Sequence, residues 1–279
     1  MTRQALLYFL RRNVTTAFAF VLLGLLLLTA AIGPALVPYD PLTTNMSNVL
    51  QAPTTAHWFG TDQLGRDIFS RVIVAARLDF AIAVSAVMVS AAAGVCVGAF
   101  CGYLGGIFDS VLSRVVDVLL AFPLFVAAMA LVAVFGNSVQ SVVLATAIIN
   151  FPFYFRLARA QAVSLRTIGY VEAALINGNS TSQVILGFIL PNSLPPVVVQ
   201  ISLNLGWAIL NTASLAFIGL GVGPPTPEWG VMIQEGAALM IAGQWWTVVF
   251  PGGALVLAVF CFSLLGDGLR DIIDPRRRS

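Results

Sequence analysis

The stretch VLLAFPLFVAAMALVAVFGNSVQSVVLATAIINFPFYF, residues 118–155, contains no charged side chain and decides the fold of this chain. A helix that crosses about 30 Å of hydrocarbon, rising about 1.5 Å per residue, needs about 20 apolar residues. The stretch is therefore too long for one crossing. Gly136-Asn137-Ser138 lies in its middle, and these residue types favour turns. The sequence thus predicts two membrane-spanning helices joined by a short hairpin.

The whole chain has the composition of an integral membrane protein. Of its 279 residues, 59% are hydrophobic and 9% are charged, whereas a globular domain has about 45–50% apolar and about 25% charged residues. The few charges are gathered into clusters that are separated by long uncharged intervals. These features exclude a soluble enzyme and a disordered chain. Nucleic acid is also excluded as a partner, because the arginines flank apolar intervals and do not form one basic face.

The long uncharged intervals accommodate six helices that could cross the bilayer. We therefore predict one all-α membrane domain over residues 1–279, with spans at about 15–37, 80–104, 113–135, 138–160, 196–221 and 246–266. The main segments between the spans lie at about 38–77, 161–195 and 223–244. None of them is long enough to bury a core of its own without disulfides or metal. Each is expected to dock on the spans or on a partner.

The distribution of arginine predicts the orientation of the chain. If both termini are cytoplasmic, only Arg66, Arg71 and Arg77 lie outside, close to the acidic Asp62, Asp67 and Asp79. The arginines inside are then Arg3, Arg11, Arg12, Arg114, Arg156, Arg159, Arg166, Arg270, Arg276, Arg277 and Arg278. Because cytoplasmic loops carry an excess of basic residues, this orientation is favoured.

Several kinds of functional site are missing from the sequence. The chain contains no lysine and hence no GxxxxGK[ST] phosphate-binding loop, so we do not expect it to bind ATP in that way. His57 is the only histidine, and Cys96, Cys101 and Cys261 lie in apolar stretches without a CxxC pair. We therefore expect no metal site and no cofactor in this chain, and we assign the cysteines to apolar packing.

The segment between the fourth and fifth spans predicts a compact helical knob. It reads YVEAALING at 170–178 and FILP at 188–191, with nine residues between them. The acidic and alanine residues favour a helix, which Gly178 would end, and the proline of FILP would end a second helix. A rigid knob of small residues can transmit movement from a cytoplasmic partner to the spans. An ordinary connecting loop is the alternative.

The fifth predicted span carries a row of polar side chains. Gln200, Asn204, Asn211 and Ser214 recur at spacings of four, seven and three residues, which places them on one face of a helix. Because an amide that faces lipid would be costly, this face must meet either a solute path or another helix. Both interpretations stay open. Trp207 lies near the same face, where it could constrict a path.

Acidic residues at the ends of the spans have structural interpretations. Asp117 is the one acid expected inside a span, near its cytoplasmic end. We expect it to cap the helix or to pair with Arg114 or an arginine of a neighbouring segment, and a functional role is the alternative. Glu228 and Glu235 follow PPTP at 224–227 and are expected to shape an external docking face.

The external motif that begins at His57 predicts a lid. Gly60 and Gly65 indicate a tight turn, and Asp62, Arg66 and Asp67 are close enough in sequence to pair with one another. A structural role explains these residues without any catalytic function.

Five motifs make this sequence similar to a known family. The pattern Glu-Ala-Ala, three residues, Gly, nine residues and then an apolar residue before Leu190-Pro191 resembles the coupling loop of bacterial ABC importer permeases. The other four are HWFGTDQLGRDIFSR at 57–71, DVLLAFP at 117–123, SLAFIGLGVGPPTPEWG at 214–230 and GDGLRDIIDP at 266–275. Together they resemble the C-type subunit of the dipeptide/oligopeptide/nickel permease family over nearly the whole chain.

The resemblance implies a type I ABC importer permease fold with six transmembrane helices in the bacterial inner membrane. The chain would form half of a heterodimeric pore for di- or oligopeptides. Its partners would be a homologous second permease, two ATPase subunits that bind ATP and Mg²⁺, and an extracytoplasmic solute-binding protein. By position, the residues that contact the ATPase would be Tyr170, Glu172, Ala173, Ala174 and Gly178.

An ion-coupled secondary transporter is the main alternative function. Such proteins usually carry ionisable residues near the bilayer midplane and inverted repeats. The sequence predicts neither feature. An intramembrane enzyme would need catalytic groups such as paired aspartates within the spans, and the predicted spans contain none.

Overall fold

The computed structural model describes residues 14–273, and within this range it contains helices and no β-strand. A short 3₁₀ helix (Met46–Asn48) and a π-helix (Ile185–Ile189) accompany the α-helices. The α-helices are α1 (Val14–Leu36), α2 (Ile68–Leu104), α3 (Gly106–Ala121), α4 (Leu124–Phe135), α5 (Val139–Leu165), α6 (Gly169–Ile176), α7 (Thr181–Val184), α8 (Leu190–Phe217), α9 (Trp229–Ile241) and α10 (Trp246–Ile273). The terminal arginines at 3, 11, 12 and 276–278 lie outside the described residues.

Within the described range, five helical stretches are long and apolar enough to cross a membrane. They are α1, α2, α5, the continuous helix at 181–217 and α10. Helices α3 and α4 supply a sixth if the bent pair is counted as one span. When the bent pair is counted as one span, the structure has six, which confirms the prediction of an all-α membrane protein with six spans.

The third span was predicted as a single helix at about 113–135, but the structure has two helices there. The axes of α3 and α4 differ by 96°. Phe122 has extended backbone angles (φ −83°, ψ 143°), because the ring of Pro123 disfavours a helical conformation in the preceding residue. Hydropathy did not reveal this break, since it lies within an uninterrupted apolar interval. The turn predicted at 136–138 is confirmed, with φ 86° at Gly136 and Ser138 capping α5.

Helix α2 begins at Ile68, whereas the second predicted span begins at residue 80. Asp67 explains the early start, because its Oδ2 accepts hydrogen bonds from the backbone N (2.8 Å) and hydroxyl (2.7 Å) of Ser70. The 37 residues of α2 extend over about 55 Å, so its first turns project beyond the hydrocarbon. Arg71 and Asp79 consequently lie inside a helix, and both are buried.

The centre of the bundle is the contact between α2 and α5. Gly94, Gly98 and Gly102 lie on one face of α2, at a spacing of four residues. A Cβ atom on Gly98 or on Gly102 would lie 2.4 Å from the carbonyl oxygen of Phe155 or of Arg159, respectively. Small residues at this spacing allow the two backbones to approach closely. Successive contacts pair Gly98 with Phe155 and Gly102 with Arg159, so residue numbers increase in the same direction along both helices. Helices α2 and α5 are therefore parallel.

The two ends of the bundle carry different connecting segments. At one end, α6 and α7 connect α5 to α8, and we refer to it as the knob end. At the other, which we refer to as the opposite end, the segment at 37–67 packs against α9 and α10. The Trp246 indole N–H donates to the carbonyl oxygen of Thr61 (3.2 Å), and Arg66 donates to Glu235 (3.0 Å).

The turn predicted in the motif that begins at His57 is confirmed. Gly60 and Gly65 have φ values of 73° and 71°, which favour glycine. Arg66 Nε donates to Asp62 Oδ2 at 2.6 Å, and the His57 ring contacts the Asp67 carboxylate at 2.9 Å. The local pairing inferred from the sequence is therefore present and fixes the loop before α2.

Candidate functional site

The knob comprises α6, the turn that follows it and α7, residues 169–184. Gly178 ends α6 with φ 83°, and its backbone N donates to the carbonyl oxygen of Leu175 at 3.0 Å. Ser180 and Gln183 form a capping box at the start of α7. The predicted helix, turn and second helix are therefore confirmed, and the segment is not an ordinary loop.

The inner face of the knob is anchored in the bundle. Val171 and Ala174 are buried in a cluster with Ala99 of α2, Ala162 of α5 and Ile185. Their spacing of three residues places both on the same side of α6. The resemblance put Ala174 in the ATPase contact, but in this structure its side chain faces inward. Ala174 therefore anchors the knob in the bundle and does not reach its outer face.

The outer face of the knob is exposed and mostly apolar. It carries four of the five residues that were expected to contact an ATPase, and it also carries Leu175 and Ile176, which were not predicted to do so. Ile176 is 85% exposed and Leu175 is 45% exposed. An exposed apolar patch around one acidic side chain suits contact with another protein. The outer face consists of Tyr170, Glu172, Ala173, Leu175, Ile176 and Gly178.

The knob continues into α8 without a break in the helix. Pro191 does not end the second helix as predicted, because α8 runs from Leu190 to Phe217 through this residue. Proline is tolerated here because the preceding residues form the wider π-helix (Ile185–Ile189), which changes the hydrogen-bond pattern at the residue that lacks a backbone N–H. A displacement of the knob would therefore act directly on α8.

The polar row of α8 is divided between two environments. Asn204 and Asn211 are buried, and the Asn211 amide donates to the Thr146 hydroxyl of α5 at 3.2 Å. Gln200 donates to Asn204 at 2.9 Å within α8. Asn211 thus serves helix packing in the isolated subunit, which was one of the two interpretations left open, and Asn204 lies on the same buried side of α8.

The other members of the row lie on the exposed side of α8. Trp207 is 52% exposed, and Ser214 is partly buried with its hydroxyl bonded to the Leu210 carbonyl at 2.7 Å. Leu203, Leu210 and Phe217 are exposed on the same side. The open face of α8 therefore consists mainly of apolar side chains around Trp207.

Ion pairs connect α3 to α5 near the knob end. Asp117 accepts a hydrogen bond from Arg156 at 2.6 Å, which confirms a pair with an arginine of a neighbouring segment. Both side chains are exposed, so this pair contributes about 0–1 kcal/mol. Asp109 makes a two-pronged contact with Arg159 (2.5 and 2.6 Å) that the sequence analysis missed. Asp109 lies in the first turn of α3, where acidic residues are favoured.

A buried cluster of charges joins the segment at 37–67 to α9 at the opposite end. Arg66 and Arg71 are almost completely buried and share the carboxylates of Asp62 and Glu235. Two positive and two negative groups balance one another there. The expectation that Glu235 and Glu228 shape a docking face is wrong, because Glu235 faces this cluster and Glu228 has no exposed surface.

Glu228 caps the first turn of α9 from inside the protein. Its Oε2 accepts a hydrogen bond from the backbone N of Val231 at 2.6 Å. Burial raises the pKa of the Glu228 carboxyl above its ordinary value. Within residues 14–273, no group of three or more His, Cys, Asp and Glu side chains could hold a metal ion.

Two family models match the chain. The first, described as "Binding-protein-dependent transport system inner membrane component", matches residues 94–279. The second, described as "N-terminal TM domain of oligopeptide transport permease C", matches residues 2–53. The two matches cover the first predicted span and most of the bundle that follows.

Similar proteins include permeases with names that refer to peptides. The dipeptide transport system permease protein DppC of Alkalihalophilus pseudofirmus is 40% identical over 97% of this chain and 88% of its own length. The probable D,D-dipeptide transport system permease protein DdpC of Escherichia coli (strain K12) is 42% identical over 97% and 91%. The glutathione transport system permease protein GsiD of Pectobacterium atrosepticum is 39% identical over 97% and 90%. The chain therefore belongs to the family of inner membrane components of binding-protein-dependent transport systems, as an ABC permease of the dipeptide/oligopeptide type.

Proposed function

We propose that this chain is a permease subunit of an ATP-driven importer of di- or oligopeptides. The observation that carries the proposal is its similarity, over almost its full length, to permeases named for dipeptide and glutathione transport. Such a subunit is a transport component of the inner membrane and not a catalyst. ATP and Mg²⁺ would bind to two partner ATPases, and a second permease and a solute-binding protein would complete the assembly.

The outer face of the knob is the proposed contact with an ATPase. Glu172 and Ile176 project from a helix whose inner face is fixed by Val171 and Ala174. The inner face of the knob must be rigidly packed, because a flexible one would deform and would not pass the movement of the partner to the spans. The continuous helix from the knob into α8 supplies the route to the translocation path.

The open face of α8 is the proposed wall of the translocation path, completed by the second permease. Trp207, Ser214 and Gln200 would border the path, and Asn204 and Asn211 would hold α8 against its neighbours from behind. A wall with few strong polar groups binds a delivered peptide weakly enough to release it.

The knob end is the proposed cytoplasmic side, with both termini on that side. Arg156, Arg159 and Arg166 lie near this end, where the positive-inside rule requires them. At the opposite end, Arg66 and Arg71 are neutralised within the buried cluster. Cysteine labelling of intact cells at Ile176→Cys and Thr44→Cys tests this orientation, and labelling of Ile176→Cys from outside would contradict it.

Reconstitution tests the function itself. The chain, a second permease and the ATPases are placed in liposomes, the solute-binding protein is added outside, and uptake of a labelled dipeptide is measured. We expect uptake only when ATP is present on the ATPase side. Uptake that follows an imposed proton or sodium gradient without ATP would instead establish the alternative, an ion-coupled secondary transporter.

A further inference from the structure

Two acidic side chains meet inside the protein where α9 begins. Asp79 of α2 is 2% exposed, and Glu228, at the start of α9, has no exposed surface. Their carboxyl groups lie close together, because Asp79 accepts a hydrogen bond from the backbone N of Trp229, the residue that follows Glu228. The residues are 149 positions apart, from 79 to 228, so neither the sequence motifs nor their spacing pointed to this pair.

The hydrogen bonds around the pair leave one oxygen of each carboxyl without a donor. Asp79 Oδ2 accepts from the backbone N of Trp229 at 3.2 Å, and Glu228 Oε2 accepts from the backbone N of Val231 at 2.6 Å. Asp79 Oδ1 and Glu228 Oε1 are buried and have no hydrogen-bond donor. A buried acceptor without a donor is unfavourable, because it has lost its water without gaining a partner.

Among residues 14–273, no positive charge faces the pair to balance two carboxylates. Helix α8, which packs against the start of α9, has no charged residue, and the charged groups of α10 lie in its last turns, at the knob end. On α2, Arg71 pairs with Asp62 and Glu235, and Arg77 is exposed. The remaining acid of α9, Glu235, belongs to that same cluster. The ionisable group that faces Asp79 is therefore Glu228, and two negative charges there would repel each other.

We propose that Asp79 and Glu228 bind one proton between them and form a buried proton site that ties α9 to α2. The proton lies on Asp79 Oδ1 and is donated to Glu228 Oε1, so that every carboxyl oxygen has a partner. Glu228 retains the negative charge because it accepts a backbone N–H at the N-terminus of a helix. The pair titrates as one unit. This inference is independent of the proposed transport function.

The site controls how firmly α9 is held. The first residue of α9 is bound to α2 twice, since Trp229 also donates its indole N–H to the Val72 carbonyl at 3.0 Å. Loss of the proton would place two negative charges side by side in a buried site, where their repulsion is strong. We therefore expect the start of α9 to separate from α2 at alkaline pH.

Infrared difference spectroscopy of the full chain in lipid nanodiscs tests the proton directly. We expect a protonated carboxylic acid band at neutral pH that disappears at alkaline pH. The band should be lost in Asp79→Asn and in Glu228→Gln, because in both variants an amide N–H replaces the shared proton. Asp40→Asn, at an exposed acid of the segment at 37–67, is the matched control and should leave the band unchanged.

Thermal unfolding, followed by tryptophan fluorescence, provides the second measurement. The unfolding temperature of the unaltered chain should fall as the pH is raised through the loss of the band. In Asp79→Asn that fall should be absent, because the amide introduced by the substitution can donate to Glu228 at any pH. If Asp79→Asn does not fold, Glu228→Gln carries the same test. Absence of the band at neutral pH, its persistence in both variants, or an equal fall in all proteins would overturn the proposal.

Discussion

A Cβ atom on Gly98 of α2 would lie 2.4 Å from the carbonyl oxygen of Phe155 on α5. This distance is shorter than any normal contact, so the two helices touch through their backbones at this point. In a bilayer, apolar side chains gain little by leaving lipid for one another, and close packing of this kind becomes a main source of helix association. The contact also positions α5, which leads into the knob.

Gly98→Val is therefore expected to destabilise the bundle by about 3 kcal/mol, because the larger side chain forces α2 and α5 apart. The free energy of unfolding in mixed detergent micelles measures this effect. Gly24→Val is the control, since nothing lies within 4 Å of a Cβ atom at Gly24 in α1. Equal losses in the two variants would show that the α2–α5 contact has no special role.

Local patterns in the sequence were sufficient for most of the membrane-spanning helices. Uncharged intervals located α1, α5 and α10, and glycine at 136 located the turn between α4 and α5. The start of α2 could not be found in this way. Arg71 is charged, and it is tolerated in a buried helix because Glu235 faces it from a segment 164 positions later in the chain. Asp79 is ionisable and lies beside Glu228, which is 149 positions later. An uncharged run in the sequence ends before such residues, although the helix does not.

The candidate site was predicted in part for a similar reason. The residue types predicted the knob. They did not predict that the side chain of Ala174 faces inward while those of Leu175 and Ile176 face outward. In α8, the polar row is about 80° wide at about 100° per residue. Asn204 and Asn211 lie on one side of the row, and Trp207 and Ser214 lie on the other. The boundary between buried and exposed surface falls between them, and spacing alone does not locate that boundary.

Trp207→Ala and Asn211→Leu separate the two sides of this row. We expect Trp207→Ala to change the unfolding free energy of the isolated subunit by less than about 0.5 kcal/mol, because the side chain is exposed. Asn211→Leu should lower it by about 1–2 kcal/mol through loss of the bond to Thr146. In the reconstituted importer, Trp207→Ala should alter the rate of peptide uptake. The assignment fails if Asn211→Leu is as stable as the unaltered chain and Trp207→Ala transports normally.

Glu172→Arg tests the outer face of the knob in the reconstituted importer. The side chain is exposed on α6, so a reversed charge should leave the subunit folded and weaken its contact with an ATPase. We expect peptide uptake to fall by at least about tenfold while ATP hydrolysis continues. Arg114→Glu, a charge reversal of equal size and opposite sign at an exposed position of α3, is the control and should retain uptake. Normal uptake by Glu172→Arg would remove Glu172 from the coupling surface.

Glu235→Ala tests the buried cluster of charges at the opposite end. The change leaves Arg66 and Arg71 sharing Asp62, and an uncompensated buried charge is expected to destabilise the protein by about 3–5 kcal/mol. Denaturant unfolding measures the loss, and Glu172→Ala, at an exposed acid, should show almost none.

A second change distinguishes charge balance from the mere loss of a side chain. Arg71→Met combined with Glu235→Leu leaves the Arg66–Asp62 pair intact, at 2.6 Å, with equal numbers of positive and negative groups. The double variant should therefore recover much of the stability that Glu235→Ala loses, since buried ion pairs can be replaced by well-packed apolar side chains. If the double variant is no more stable than Glu235→Ala, the cluster is held together by the shape and hydrogen bonds of Arg71, including its bonds to the carbonyl oxygens of Pro41 and Pro225, and not by charge balance.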